Sequence, residues 1–202
     1  MGPEDWVVLD KLRDSEPEFH KGVCIDAGSR NMNGSVSFFL GEEVTFIGID
    51  EFEPSVEANR CITWQGKVHE YPGSEIADMV TCFNTFEHDY YWKESVQRLM
   101  ELLKPGGLFI FQLICSGDEH GNVNPTEPYG KLLKDGTRHY GNMDPDEFTT
   151  HLSQFPVKIL DTIRKYEGER ILCPVDRWSK KLPTPKDYVL TRKYVYLIGR
   201  KL

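Results

Sequence analysis

The sequence predicts a doubly wound α/β domain, a mostly parallel sheet with an antiparallel terminal strand and helices on both faces. Three observations carry that expectation. Short β-branched apolar runs recur along the first 115 residues, and strands of a parallel sheet, buried on both faces, read as such continuous runs. Helical stretches are expected between them, the alternation from which crossovers are built. No linker, repeat or low-complexity tract divides the 202 residues, so residues 1–202 are read as one domain of ordinary size.

The elements follow in order. Residues 1–20, with Trp6, Val7, Leu9 and Leu12, are predicted to form a flanking helix. Strands are expected at Gly22–Asp26, Val44–Asp50, Cys61–Trp64, Asp78–Asn84 and Leu108–Leu113. Between the last two, Val96, Leu99, Met100 and Leu103 recur at the spacing of one helix face. Lys104-Pro105-Gly106-Gly107 stops that helix, with a cation at the negative end of its dipole. Residues 116–143 read as a long polar loop, of a length that is usually functional. Asp144-Pro145-Asp146-Glu147 then caps a helix bearing Phe148 and Leu152. Val157–Tyr166 and Lys193–Ile198 read as strands without a crossover helix between them, so they are expected to run antiparallel. Residues 168–192, with Pro174, Pro183 and Pro185, are read as a long basic loop.

Composition narrows the function. Apolar residues make up 39% and charged residues 28% of the chain, the balance of a folded protein. The most apolar run, Leu108–Cys115, is far shorter than the roughly 20 residues of a membrane helix. Met1–Trp6 lacks the features of a signal peptide, and a cytoplasmic location is expected. The five cysteines, Cys24, Cys61, Cys82, Cys115 and Cys173, never form a C-x-x-C pair and are read as buried, reduced thiols. Asp118, Glu119 and His120 have no second ligand cluster at a recognisable spacing, so no metal is expected. Residues 1–163 carry 13 Lys+Arg against 28 Asp+Glu, a balance of −15, whereas residues 164–202 carry 11 against 4, a balance of +7. An acidic body argues against binding a long nucleic acid. The basic end either meets an anionic ligand or forms a solvated face that offsets the acidic body.

Asp26-Ala27-Gly28 ends the first strand, and Asp50 ends the second, 22 residues beyond Gly28. That spacing suits a carboxylate accepting hydrogen bonds from a ribose diol, with Gly28 allowing close approach to the backbone. Asp26 could equally serve as a turn or cap residue. The loop Gly28–Gly34 has neither G-x-G-x-x-G nor the Lys-Ser/Thr of a phosphate loop, so a pyrophosphate ligand lacks its usual support.

Four ordered motifs carry a resemblance. Val23–Arg30, Phe46–Asp50, Asp78–His88 with its Glu87-His88 pair, and Leu102–Leu108 with Lys-Pro-Gly-Gly together resemble the Rossmann-like class I S-adenosylmethionine-dependent methyltransferases, in their small-molecule branch. The resemblance covers roughly residues 20–115. It implies S-adenosyl-L-methionine as cofactor, with Asp26, Ala27, Gly28, Ser29 and Arg30 under its methionine end and Asp50 on the ribose. Glu51 and Phe52 would border the adenine, and Asn84 would line the site with His88 nearby. Two positions depart from the pattern. Arg30 stands where a second glycine is usual, and the acidic residue after the third strand is missing from Trp64–Val68, leaving Lys67 or Val68 to meet adenine through the backbone.

Methyl transfer from a sulfonium is an in-line displacement, in which holding the nucleophile near the methyl group matters most. A base helps when the acceptor is a hydroxyl. His120, in the loop after the fifth strand beside Asp118 and Glu119, is the preferred candidate. His88 and Tyr140 follow, although His88 could be a locally bonded helix-start residue and His120 merely solvated. The expected acceptor is a small polar molecule, such as a sugar or metabolite and anionic in one reading, methylated on oxygen before nitrogen. Two alternatives remain open at this point. One is a nucleic-acid methyltransferase, weakened because Thr85-Phe86-Glu87 follows Asn84 in place of Pro-Pro-aromatic. The other is a non-catalytic binding subunit, motivated by Arg30.

Overall fold

The computed structural model describes residues 1–30, 34–52, 61–115, 131–133, 136, 138–176 and 178–202. In chain order the elements are α1 (Pro3–Ser15), β1 (Lys21–Ala27), β2 (Glu43–Asp50), β3 (Cys61–Gln65), β4 (Ala77–Cys82), α2 (Trp92–Leu102) and β5 (Leu103–Ile114). There follow β6 (Lys131–Leu132), β7 (Arg138–His139), α3 (Pro145–Leu152), β8 (Val157–Lys165), β9 (Arg170–Val175), β10 (Lys181–Val189) and β11 (Tyr194–Lys201). Seven strands build one sheet in the order β3-β2-β1-β4-β5-β11-β8. The first five are parallel, and β11 runs antiparallel to both β5 and β8. This is the mostly parallel α/β sheet with an antiparallel last strand that the sequence predicts.

Strand periodicity sorts the apolar residues onto two faces. Ile25, Ile47, Val80 and Phe109 stand in one cross-strand row and join Val96, Leu99 and Met100 of α2 and Phe148 and Leu152 of α3 in one core cluster. The preceding row, Cys24, Phe46, Met79 and Leu108, belongs to the opposite cluster with Val8, Leu9 and Leu12 of α1. A side-chain period of two produces that sorting without any further device. Lys104–Gly107 falls in a register shift between the pairs Ala77–Leu103 and Met79–Leu108. Asp78 secures this end of the sheet by accepting from Val23 N–H at 2.8 Å and Lys104 Nζ at 2.8 Å.

Two regions differ from expectation. Residues 168–192 are not a loop: β9 and β10 pair antiparallel, and Ile171, Cys173 and Val175 turn inward onto the α1 face. Pro183 and Pro185 lie within the register shift between Lys181 and Lys186. Proline is tolerated on an edge strand at such an irregularity, so its presence concealed the β9–β10 hairpin. The second difference concerns the crossovers. A 3-10 turn at Val36–Phe39 lies between β1 and β2, and another at Val68–Glu70 lies between β3 and β4. The flanking helix is confined to α1, followed by a 3-10 turn at Pro17–Phe19. Of the 116–143 segment, residues 116–130 lie outside the described residues, while β6 and β7 pair with each other. All five cysteines are free thiols, with Cys24, Cys82 and Cys173 buried. No helix among the described residues is long and apolar enough to cross a membrane.

Candidate functional site

The strand order reverses between β1 and β4, which marks a crevice beyond the carboxyl ends of the strands. Open α/β sheets bind ligands in such a crevice. A cavity of about 700 Å³ opens there, lined by Gly28 after β1, Ile49 and Asp50 of β2, Phe83 and Asn84 after β4, and Ile114 of β5. That volume is within the usual range for small-molecule sites.

One wall is built from strand ends and backbone. Gly28, at φ +77°, donates its N–H to the Ile49 carbonyl at 2.8 Å. A Cβ at this position would overlap Thr85, so only glycine fits. The close approach that requires glycine is therefore made by a side chain of the protein itself. Asp50 holds the following turns: Oδ2 accepts from Arg30 N–H at 3.0 Å and Oδ1 from Phe52 N–H at 2.9 Å. Burial raises the Asp50 pKa, and the two N–H groups oppose that rise. A carboxylate has about four lone-pair sites, so two acceptor positions remain for a ligand. The Arg30 guanidinium lies over the Phe52 ring at 4.8 Å, with Nη1 buried and without a hydrogen-bond partner among the described residues. Glu51, whose pKa burial raises, and Gly66, Lys67 and Val68 complete this side.

The other wall is assembled from distant segments. Asn84 adopts φ +51°, a conformation that asparagine tolerates. Its N–H donates to Gln112 Oε1 at 2.7 Å, and Gln112 Nε2 donates to its Oδ1 at 3.3 Å. Its Nδ2 donates to Asp5 Oδ2 at 3.1 Å, and Asp5 also accepts from Tyr196 OH at 2.7 Å and Gly2 N–H at 2.6 Å. Burial holds the Asp5 carboxyl above its ordinary pKa. These bonds explain Gln112 in the middle of an apolar strand, and they dock α1 so that Met1–Glu4 lines the cavity. Burial, and next the adjacent Asp5, push the Glu4 carboxyl up to about 7.

On the same side, Glu87 is 1% exposed and His88 closes a 3-10 turn, Phe86–His88. His88 Nδ1 lies 2.8 Å from the Arg138 carbonyl, and Nε2 lies 3.6 Å from Glu87 Oε1. Burial raises the Glu87 pKa, with His88 the largest opposing influence. Tyr140 donates its N–H to the Glu87 carbonyl at 2.8 Å, and its ring meets Tyr90 at 5.5 Å. Burial raises the Tyr140 pKa from the ordinary phenol value, and its hydroxyl can donate a hydrogen bond. Tyr188–Arg192 and Tyr194, from the hairpin and the start of β11, close the cavity.

Of the residues singled out from sequence, Gly28, Arg30, Asp50, Glu51, Phe52, Asn84, His88 and Tyr140 line this cavity together. Asp26, Ala27 and Ser29 do not. Asp26 turns to its cross-strand neighbour and accepts from Thr81 Oγ1 at 2.6 Å, and burial pushes its carboxyl up to about 7. Ser29 packs against Gly48. His120 lies outside the described residues. His88 does not start a helix, contrary to one reading of the sequence, because α2 begins only at Trp92. Glu87, Arg138, Arg192 and the Met1–Glu4 segment were not anticipated as wall residues. A carboxylate beside a histidine at the end of an apolar strand was the available signal for Glu87.

Comparison with known proteins agrees with this geometry. No curated protein matches the sequence. The magnesium protoporphyrin IX methyltransferase of Synechocystis, solved with bound S-adenosylhomocysteine, is similar in structure, with TM-score 0.65, 12% identity and coverage of 99% of this chain and 83% of that one. The 1,6-didemethyltoxoflavin-N1-methyltransferase of Burkholderia thailandensis, solved with its acceptor and S-adenosylhomocysteine, gives 0.59 at 16% identity, covering 100% and 91%. The 16S rRNA (adenine(1408)-N(1))-methyltransferase of Catenulisporales acidiphilia gives 0.54 at 12% identity, covering 100% and 94%. At such identities these likenesses establish the fold alone. The family described as methyltransferase domain, however, matches residues 8–162, most of the chain and nearly all the strands whose ends form the cavity. The chain therefore belongs to the methyltransferase domain family and is an enzyme of that kind.

Proposed function

We propose that this enzyme transfers a methyl group from S-adenosylmethionine to an oxygen, or secondarily a nitrogen, of a small polar acceptor. The observation that carries the reading is Asp50: a carboxylate at the tip of β2, on the cavity wall, fixed by two backbone N–H groups and with acceptor positions to spare. It would take the ribose hydroxyls, while Gly28, Phe52 and the Gly66–Val68 turn would border the rest of the cofactor. S-adenosylmethionine supplies a methyl group on a sulfonium, ready for in-line displacement. The chain's own contribution is to hold the acceptor and exclude water.

The wall formed by Glu4, His88, Tyr140 and the hairpin suits the acceptor. Arg138 and Arg192 on that wall favour an acceptor with negative charge, and Tyr140 can donate a hydrogen bond to it. A cavity of about 700 Å³, closed by several segments, favours a small molecule. The −15 balance of residues 1–163, which disfavours a polynucleotide, supports the same reading. Isothermal titration with S-adenosylhomocysteine tests the proposal. Wild-type protein should bind at sub-millimolar concentration, and Asp50→Ala should weaken binding by about 10- to 100-fold, the equivalent of about 1.5–3 kcal/mol. Absence of binding by wild type overturns the reading, and unchanged affinity in the variant removes Asp50 from the site.

A further inference from the structure

Glu4 is 5% exposed and lines the cavity, yet among the described residues no lysine or arginine pairs with its carboxyl. The other buried acids of α1 are better supplied: Asp10 is paired with Arg13 and Lys181, and Asp5 takes three donors. Glu4 has the Tyr194 hydroxyl and its own backbone N–H. A carboxylate has about four lone-pair sites, so acceptor positions remain open on it. Helix capping does not account for Glu4, since Asp5 already takes the Gly2 N–H at the start of α1. The Glu4 carboxyl instead folds over Gly2, where a Cβ would overlap both of its oxygens. A buried acid left with so few bonds calls for an explanation beyond packing.

The position of Glu4 supplies that explanation. Sheet order places β1, with Gly28 after it, between Asp50 of β2 and Asn84 after β4. A cofactor held by its ribose at Asp50 would run past Gly28 toward Asn84, so its reacting end would lie on the Asn84 side. Asn84 Nδ2 donates to Asp5 at 3.1 Å, which brings the adjacent Glu4 to that side of the cavity. His88 is committed elsewhere: Nδ1 donates to the Arg138 carbonyl, and Nε2 faces Glu87, whose side chain is 0% exposed. Asp50 and Glu51 stand on the opposite wall.

We propose that Glu4 binds the nucleophile of the methyl acceptor and receives its proton, which makes that acceptor a hydroxyl or an uncharged amine. The proposal rests on the methyl-transfer reading and names the acceptor class for the same cavity. The nucleophile's O–H or N–H donates to a Glu4 carboxylate oxygen, which holds its lone pair in line with the methyl carbon. That lone pair forms the bond to carbon, and the carbon–sulfur pair departs with sulfur. The O–H or N–H bond pair stays on the nucleophile while the proton passes to the Glu4 oxygen, leaving a neutral carboxyl.

The surroundings of Glu4 suit that step. Burial, and next Asp5 on the same helix, hold its carboxyl up at about 7, while its own N–H, the Tyr194 hydroxyl of β11 and the amino group of Met1 favour the ionised form. Tyr196 of β11 and Cys173 of β9 also face it, and burial raises the pKa of both, so they keep their protons. Arg192 stands beside Tyr194. A carboxyl that titrates near neutrality is matched to taking a proton at the pH of the reaction.

The test is isothermal titration with sinefungin, which carries an amine in place of the transferred methyl, and with S-adenosylhomocysteine, between about pH 6 and pH 8.5. In wild type the preference for sinefungin should rise by about fivefold as Glu4 ionises through about 7. In Glu4→Gln the preference should stay flat, with S-adenosylhomocysteine affinity within about threefold of wild type. Tyr194→Phe, which removes a donor that favours the carboxylate, should move the rise to higher pH. No rise in wild type, or an equal rise in Glu4→Gln, overturns the proposal. Loss of S-adenosylhomocysteine affinity in folded Glu4→Gln places Glu4 against the cofactor and overturns it as well. Should Glu4→Gln fail to fold, Tyr194→Phe decides, and a rise at the wild-type pH overturns the proposal. Absence of S-adenosylhomocysteine binding by wild type overturns the methyl-transfer reading and this proposal with it, whereas binding without the rise overturns this proposal alone.

Discussion

The two walls of the cavity are made in different ways. The wall with Gly28, Asp50 and Phe52 comes from the ends of adjacent parallel strands, where backbone N–H groups and one carboxylate fix each other over a few residues. The wall with Glu4, Asn84, Glu87 and Tyr140 is drawn from α1, the turn after β4, β7 and the hairpin, tied by bonds such as Tyr196 to Asp5 across 191 positions of sequence. The first wall follows from forming the sheet. The second exists only once the tertiary structure has closed, so it can vary between enzymes while the first is kept, which is the arrangement expected where one cofactor serves different acceptors.

Asp5→Ala is the strongest way to break the second wall while sparing the first. It removes the acceptor of Tyr196 OH, Asn84 Nδ2 and Gly2 N–H together in a site that is 0% exposed. Unsatisfied buried donors cost about 1–3 kcal/mol each, and partial relaxation should leave a net loss on the order of 3 kcal/mol in urea unfolding. Tyr196→Phe removes one donor and should cost about 1 kcal/mol. A similar loss for both variants would mean that Asp5 does not act as the common anchor.

The same contrast explains what could be read from sequence. β1, β2, β4 and β5 were legible because burial on both faces demands apolar runs, and α2 because its apolar residues repeat on one face. Asp50 was legible because a carboxylate at a strand tip has a local spacing from Gly28. Asp5, Tyr196 and Gln112 were not, since each is explained by a partner on a distant segment. Gln112 interrupts an apolar strand, and its two hydrogen bonds with Asn84, at 2.7 and 3.3 Å, give it a reason. The hairpin was hidden by Pro183 and Pro185, which mark a break in β10 and not the absence of a strand.

Asp26 sharpens the boundary of the first wall, because it belongs to β1 yet faces Thr81 inside the sheet. Burial pushes its carboxyl up to about 7 from an ordinary value of 3.8. The folded protein thus binds this proton more tightly than the unfolded chain. The associated stability is complete below the unfolded pKa and is lost as pH rises through about 7. Asp26→Asn, which can still accept from Thr81, should remove that loss. Between pH 5 and pH 8 wild type should therefore lose on the order of 2–3 kcal/mol more than the variant in urea unfolding. Parallel pH profiles would show that Asp26 is ionised in the folded protein, and would return it to the candidates for a ligand contact.

The smallest effect is expected where the hairpin meets α1. Lys181 Nζ donates to both oxygens of Asp10, at 2.8 and 2.6 Å, but the lysine side chain is 59% exposed. Asp10 also keeps Arg13 at 2.6 Å. Solvent screening and the retained arginine leave little for the lysine to contribute, and Lys181→Met should cost less than about 1 kcal/mol. The apolar residues Ile171, Cys173 and Val175, buried against the α1 face, carry the attachment instead. Ile171→Ala, which empties part of that contact, should cost about 2 kcal/mol or more. If chemical denaturation reversed this order, the hairpin would be held by charge, and raising the ionic strength would then loosen the Tyr188–Arg192 side of the cavity. With the apolar attachment, salt leaves that side closed, and the second wall depends on packing as firmly as the first depends on its strands.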